Sequence, residues 1–175
     1  MDYTQIINRL TRWFDDYTHA FNCGLPELND AVLFKQEHTR RVCCDMDSLC
    51  KSISLENPLL FSAKITTLFH DVGRFQQYKD YGTFQDRKSV NHSQLGLKII
   101  DENHLFDDLP PDLSQKIRTA ILYHNTKAIP DNLAKDQDLL CRLIRDADKL
   151  DIYSIVASHY NNPSHPRKEI FETGL

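Results

Sequence analysis

The spacing of apolar residues along the chain is mostly helical. Apolar side chains recur at intervals of three and four residues, as on one face of an α-helix, over 3–21, 34–52, 91–104, 110–125 and 136–160. A further helix begins near Pro58, a residue type suited to a first helical turn, and is expected to end at Gly73. No segment alternates apolar and polar residues for long enough to predict a strand. The pattern therefore predicts an all-α protein.

Two stretches depart from this pattern. Over 75–91, four aromatic residues alternate with charged ones without a sustained period, which predicts a long loop containing some helical turns. The tail 161–175 is rich in proline and charge, and an incomplete C-terminal helical layer is one interpretation of it. A chain of 175 residues is about the size of one compact domain, so we expect 1–175 to form a single domain.

Composition and charge narrow the class of protein. An apolar fraction of 41% and a charged fraction of 26% are typical of a globular domain. The net charge of −4 argues against a nucleic-acid polymer as partner. The apolar runs are too short to span a bilayer, and the first residues lack the pattern of a signal peptide, so we expect no membrane association. The 5 cysteines, an odd number without CxxC spacing, favour reduced thiols and a cytoplasmic location.

Several polar residues fall on predicted apolar helix faces or at their ends. His38 shares a face with Phe34 and Val42, and other members of this set are His70, Asp71, His92, His124 and Asp148. A single inward histidine is more often a hydrogen-bonded core residue than a ligand, and a single inward aspartate can pair with an arginine. Four imidazoles and two carboxylates together indicate a divalent metal with nitrogen and oxygen ligands. Regularly spaced cysteines, which a zinc finger needs, are absent from the sequence.

The same series resembles a known family. In order, His38, His70-Asp71, His92, His124 and Asp148 are similar to the H…HD…H…H…D signature of the HD-domain superfamily of metal-dependent phosphohydrolases. The surrounding segments resemble the family too: EHTRRV, LFHDVGRF, NHSQLG, ILYHN and RDADKLD. The resemblance covers about 34–155, which would be the metal-site core, and implies an all-helical bundle.

The resemblance also implies which residues bind metal. By similarity, His38, His70, Asp71 and Asp148 hold a first divalent ion. Asp71 bridges it to a second ion held by His92 and His124. Mononuclear members have an acid soon after the HD pair, and HDVGRF has none, which favours two ions. Mn, Fe, Mg, Co, Ni and Zn remain candidates for the metal, and Asp146 is expected to face solvent or to support a ligand.

A phosphohydrolase of this family would act on a nucleotide or another small phosphorylated metabolite. The resemblance implies catalytic roles for Asp71, Arg74 and Lys149. Arg74 and Lys149 match positions at which related domains contact phosphate, and we expect both to reach the mouth of the cavity. Arg87 and Lys88 are further candidates for substrate binding because they precede His92. For all four cations, the alternative is a solvated surface position.

Other functions stay open at this point. The same ligands hold two irons in the inositol oxygenase-like branch of HD-fold proteins, and a catalytically silent HD interaction or signalling domain is a third alternative. The cations near the motif favour phosphate, whereas the intact ligand series argues against a silent domain. A cyclic-dinucleotide phosphodiesterase of the HD-GYP type is disfavoured because no GYP-like segment follows the motif. The sequence leaves the oligomeric state open, with a homodimer among the options.

Overall fold

Seven α-helices and one short 3₁₀ helix make up the part of the chain that the structure describes. This computed structural model describes residues 1–22 and 24–161, with side chains through 157. The helices are α1 (Tyr3–His19), α2 (Pro26–Ser52), α3 (Leu59–Phe69), α4 (Val72–Tyr81), α5 (His92–Glu102), α6 (Pro111–Tyr123) and α7 (Lys135–Asn161), with the 3₁₀ helix Asp86–Lys88 between α4 and α5. These residues contain no strand, which confirms the all-α prediction. The tail predicted at 161–175 lies, beyond Asn161, outside the described residues.

The apolar helix α3 lies at the centre of the fold. It packs against α1, α2, α6 and α7. Phe61, Ile65 and Phe69 contribute to an apolar cluster shared with α1, α5 and α6, whereas Ala63 belongs to a second cluster formed with α2 and α7. Full burial of one large apolar side chain stabilises the fold by about 1.5–3 kcal/mol. These contacts fix the helices that carry the polar residues of interest.

Helix α2 begins well before its predicted start at residue 34. Its first residue is Pro26, which the sequence pattern had assigned to the break after α1. Proline suits this first position because its φ angle is already helical and its missing N–H is not needed there. Leu28, Ala31 and Val32 are buried on the added turns, so the earlier start extends the packing face.

The prediction of a loop over 75–91 is wrong for its first half. Helix α4 continues to Tyr81 and ends at Gly82, whose φ of 64° is the left-handed conformation common after a helix. Phe75 and Tyr78, three residues apart, pack on the core, while Lys79 and Asp80 are exposed. Over 75–81, the alternation of aromatic and charged residues therefore belongs to about two turns of an amphipathic helix. Only 83–91 forms the loop, with its short 3₁₀ helix.

Gly73 does not end α3, contrary to the prediction. Helix α3 ends at Phe69, His70 and Asp71 form a turn, and Gly73 lies in the first turn of α4. A Cβ atom at Gly73 would overlap the carbonyl oxygen of His92 and lie 2.7 Å from the amide nitrogen of Gly96. The glycine therefore lets α4 approach the first turn of α5 closely, which brings Asp71 next to His92.

Candidate metal centre

All six residues predicted as metal ligands meet around Asp71. They come from five places along the chain: His38 in α2, His70 and Asp71 in the turn between α3 and α4, His92 at the start of α5, His124 directly after α6, and Asp148 in α7. The four histidines and Asp71 are buried, whereas the Asp148 side chain is 21% exposed. Helix ends therefore supply most of this cluster.

One carboxylate oxygen of Asp71 faces two of the histidines. The Oδ2 atom lies 3.5 Å from Nε2 of His38 and 3.7 Å from Nε2 of His70. The Oδ1 atom of Asp148 lies 3.2 and 3.8 Å from the same two nitrogens. We call His38, His70 and Asp148, together with Oδ2 of Asp71, the first half-site.

The other oxygen of Asp71 faces the remaining histidines. Its Oδ1 atom lies 3.3 Å from Nε2 of His92 and 3.6 Å from Nε2 of His124. The two Nε2 atoms are 3.0 Å apart. We call His92 and His124, together with Oδ1 of Asp71, the second half-site. Donor atoms of His38, His70 and Asp71 lie within 4.8 Å of one another, as do those of Asp71, His92 and His124, so each group could hold a metal ion.

All four rings are held through their Nδ1 atoms. The acceptors are a carboxylate oxygen of Asp151 for His38 (2.7 Å), a carboxylate of Asp86 for His92 (2.9 Å), the carbonyl of Thr67 for His70 (2.7 Å) and the carbonyl of Ile121 for His124 (2.7 Å). Because carbonyl and carboxylate oxygens only accept, each Nδ1 atom carries the proton. A neutral ring in this tautomer has its lone pair on Nε2. The arrangement is typical of metal-binding histidines.

The Nε2 atoms lack the partners that buried polar atoms normally have. Nε2 of His38 and Nε2 of His70 are buried without a hydrogen bond, although nearly all buried polar groups make one. The Nε2 atoms of His92 and His124 face each other, but neutral rings with the proton on Nδ1 have none on Nε2. No hydrogen bond can then form between the two Nε2 atoms. A divalent cation would satisfy these lone pairs, so the donor set fits a metal.

A buried lysine that the sequence did not single out lies in the first half-site. Nζ of Lys35 is 2.8 Å from Oδ2 of Asp71, and its side chain is 4% exposed. Burial raises the pKa of Asp71, but Lys35 and His70 outweigh it, so this pKa lies well below the usual value. Burial likewise raises the pKa of Asp148, and the adjacent rings of His38 and His70 bring it below the usual value. Both carboxylates are therefore ionised at neutral pH.

The two half-sites shift histidine pKa values in opposite directions. Burial and Lys35 lower the pKa of His38, but the close carboxylates of Asp148, Asp151 and Asp71 outweigh them and raise it to about 9. Burial lowers the pKa of His92 to about 4, and its hydrogen bond to Asp86 opposes the shift without reversing it. The first half-site therefore attracts a proton, whereas His92 stays neutral.

Arg74 is embedded beside the second half-site and does not lie at the cavity mouth. Its Nη1 atom donates to the carbonyl of Phe84, to Oε1 of Gln77 at 2.8 Å and to Oδ1 of Asp86 at 2.9 Å. Its Nε atom is 3.5 Å from Oδ1 of Asp71, and the side chain is 12% exposed. The expectation of a position at the mouth was therefore wrong, while the expected nearness to the cluster is observed.

The other predicted cations lie farther from the cluster. Lys149 is exposed on α7, next to Asp148, and Arg87 and Lys88 are exposed in the 3₁₀ helix. In the described part of the chain, no hydrogen bond or ion pair joins these three residues to either half-site. Asp146 is exposed, in agreement with its predicted position facing solvent.

Sequence reasoning missed three residues that support the predicted ligands: Asp151 and Asp86 bond histidines, and Lys35 bonds Asp71. Asp151 lies three residues after Asp148 and therefore on the same face of α7, a spacing that could have identified it. Lys35 lies three residues before His38, so the same signal applies. Asp86 lies in the loop before His92 and has no comparable signal, because the contact depends on how the loop folds back on α4.

Comparison with known proteins agrees with this geometry. The family model described as HD domain matches residues 36–153, a range that contains all six clustered residues. The chain belongs to the HD domain family, part of a superfamily of metal-dependent hydrolases. Searches of curated proteins and of solved structures found no match. Among the described residues, no helix is both long and apolar enough to cross a membrane.

Proposed function

We propose that the protein is a binuclear metal-dependent phosphohydrolase acting on a nucleotide or another small phosphorylated metabolite in the cytoplasm. The observation that carries this proposal is the orientation of the Asp71 carboxylate, in which one oxygen faces each pair of imidazoles. Two divalent ions, when bound, supply an activated water and neutralise charge on the phosphoryl oxygens. A carboxylate placed between two donor sets is suited to binding both ions at once.

In this proposal, His38, His70 and Asp148 hold the first ion, and His92 and His124 hold the second. Asp71 binds both and is the central catalytic residue. The Nδ1 hydrogen bonds keep the rings oriented before any metal arrives. Four imidazoles favour a transition metal over Mg²⁺, which prefers a shell of oxygen ligands.

Positive charge beside Asp71 favours an anionic substrate. Buried Lys35 and partly buried Arg74 are cations within 3.5 Å of its two oxygens. A neutral polyol, as handled by the oxygenase branch, would gain little from these charges. We propose that Arg74 orients the phosphate and that exposed Lys149, Arg87 and Lys88 attract it from solvent.

Metal analysis coupled to a substrate panel tests the proposal. The protein is purified without added metal, its metal content is measured by mass spectrometry, and nucleotides and phosphoesters are assayed for released phosphate. We expect two ions per chain and hydrolysis of at least one phosphorylated compound, abolished in Asp71→Ala. An iron-loaded protein that consumes O₂ and leaves every phosphate compound intact would instead identify the oxygenase. A metal-free, inactive protein would favour an interaction domain.

Substitution of Arg74 tests its contact with substrate. We expect Arg74→Lys to keep the charge but lose the paired hydrogen-bonding geometry, lowering kcat/KM for the best phosphate substrate. Arg74→Ala should cost more, about 2–4 kcal/mol of transition-state stabilisation. Because Arg74 is largely enclosed and hydrogen-bonded to Asp86, the alanine variant should also melt at a lower temperature, so kinetics are measured well below its Tm. Lys149→Ala is the control, since an exposed lysine should lower kcat/KM without changing Tm. Wild-type kinetics in Arg74→Ala would assign the phosphate contact to the loop cations.

A further inference from the structure

Asp86 collects hydrogen bonds from four side chains. Its Oδ1 atom accepts from Nη1 of Arg74 at 2.9 Å and from Nε2 of Gln77 at 3.0 Å. Its Oδ2 atom accepts from Nδ2 of Asn125 at 3.1 Å, and both oxygens lie 2.9 Å from Nδ1 of His92. One loop carboxylate therefore joins a ring of the second half-site to the cation beside it.

The position of Asp86 is fixed by contacts that involve no metal. Gln77, which is fully buried, donates from Nε2 to the carbonyl of Val90 and to Oγ of Ser89, both at 2.9 Å, and so holds the loop on α4. The carbonyl of Phe84 accepts from Arg74, which holds the other end of the loop. The loop thus presents a fixed acceptor to His92.

The orientation of the His92 ring depends on this acceptor more than on any other side chain. His124 is held by the carbonyl of Ile121, a main-chain atom that a substitution does not remove. His92 starts a helix, and its ring Nδ1 atom reaches Asp86 and, at 3.4 Å, the side-chain amide of Asn125. Without the carboxylate, nothing else among the described residues would hold the proton on Nδ1 of His92 with comparable strength.

We infer that Asp86 is a positioning residue, which keeps the Nε2 lone pair of His92 directed at the second metal position and holds Arg74 next to Asp71. The metal part of this inference rests on the proposed function. A carboxylate behind a ligating histidine orients the ring and makes it a better donor, and loss of such a partner typically weakens metal binding by about 10- to 100-fold. Asp86 would therefore couple binding of the second ion to the placement of the substrate cation.

Replacement by the matched amide tests the inference. Asp86→Asn keeps the size of the side chain but replaces one carboxylate oxygen, which accepts hydrogen bonds, with an NH₂ group, which donates them. The four side chains around Asp86 are donors too, so this group would lose its partners. We expect the second ion to bind about 10- to 100-fold more weakly, with the first ion retained. In the metal-free protein, long-range ¹H–¹⁵N NMR of the imidazoles should show His92 losing its preference for the Nδ1–H tautomer. This spectroscopic signature would not follow from a general loss of stability.

Two control variants define the specificity of the effect. Asp151→Asn, at the equivalent position behind His38, should weaken the first ion. Asp108→Asn removes an exposed ion pair with Arg9 and should change neither ion. Asp86→Glu keeps the charge and is the second test variant, to be used if Asp86→Asn fails to fold. Because its longer side chain cannot keep all four contacts, it should also weaken the second ion.

The outcomes separate this inference from the proposed function. Two ions in the wild type, with unchanged affinity and unchanged His92 tautomer in both Asp86 variants, would overturn the role of Asp86. One ion in the wild type would refute the binuclear proposal. In that case the tautomer decides: a His92 ring that keeps its Nδ1–H form in Asp86→Asn overturns the positioning role, and a ring that loses it supports the role.

Discussion

The two half-sites differ in charge and in the elements that carry them. The first half-site is built on the long helices α2 and α7 and concentrates carboxylates, with Asp148 beside the histidines and Asp151 behind His38. The second half-site is built at the ends of shorter helices and contains two imidazoles and, as its one carboxylate ligand, the shared Asp71, with Asp86 behind His92. Arg74 adds positive charge beside it.

This difference predicts an order of metal binding. A cation gains more from a site that contains two ionised carboxylates than from one that contains a shared carboxylate and an adjacent guanidinium. Lys35 partly offsets the negative charge of the first half-site, because its Nζ atom lies 2.8 Å from Oδ2 of Asp71. We expect the first ion to bind more tightly, and the second to depend on it because both use Asp71.

Removal of Asp71 should have the largest effect, because it is the one ligand that the half-sites share. We expect Asp71→Ala to lose both ions, measured as metal per chain. The substitution also leaves Lys35 buried without a partner, which is destabilising by about 3–5 kcal/mol. The double variant Lys35→Met/Asp71→Ala should recover stability but not metal.

Asp146→Ala is the matched control for Asp71→Ala. Asp146 is an exposed aspartate in the RDADKLD segment, two residues before Asp148. It should keep the wild-type metal content. Full metal content in Asp71→Ala would contradict the assignment of the shared ligand and, with it, the comparison of two half-sites.

Replacement of the second pair of histidines should have half that effect on metal content. In the double variant His92→Ala/His124→Ala, we expect the metal content to fall from two ions to one, because the first half-site keeps all its ligands. His104→Ala, an exposed histidine paired with Asp107, should change nothing. A double variant that loses both ions would mean that the half-sites cannot be occupied separately.

The first half-site was easier to predict from sequence than its surroundings. His38 and Asp148 lie within periodic apolar stripes. A polar residue at a position where the period predicts an apolar one can be recognised from the sequence alone. His70, Asp71, His92 and His124 fall at or near the ends of predicted apolar helix faces, and the family signature then grouped all six residues. Their burial around one carboxylate agrees with it.

The features that could not be predicted from the sequence depend on how separate segments pack against one another. Asp86 reaches His92 only because α4 extends to Tyr81 and Gln77 fastens the loop. The aromatic stretch concealed that helix, since its charged residues interrupt a short amphipathic pattern. Arg74 was expected at the mouth of the cavity, since the sequence did not show that its partners, Asp86 and the Phe84 carbonyl, lie in a loop that folds back on α4.

Metal removal should lower stability by an amount that follows from mass action. A ligand that binds only the native state adds about 2.7 kcal/mol when its concentration is 100 times Kd. For a protein of this size, that corresponds to roughly 5–11 °C in Tm. We expect a chelator to lower Tm by this order, with most of the loss coming from the first ion. An unchanged melting curve after verified metal removal would argue against a buried metal site.

The last predicted effect is the pH dependence of the metal-free protein, in which the half-sites act in opposite directions. The pKa of His92 is lowered from 6.5 to about 4. Between these values the unfolded chain binds a proton that the native protein does not, so stability rises with pH. The pKa of His38 is raised from 6.5 to about 9. Above pH 6.5 the native protein keeps a proton that the unfolded chain releases, so stability falls.

The metal-free protein should therefore be most stable near pH 6.5, with each limb changing by at most about 1.4 kcal/mol per pH unit. Denaturant unfolding between pH 4.5 and 7.5 measures both limbs and stays below the range in which most unfolded thiols, with a pKa of about 8.5, ionise. His92→Asn should flatten the acidic limb, and His38→Asn the alkaline one. Metal loading should reverse the alkaline limb, because His38 must lose its proton to bind an ion. If both variants gave curves parallel to the wild type, the charge difference between the half-sites would not be the cause.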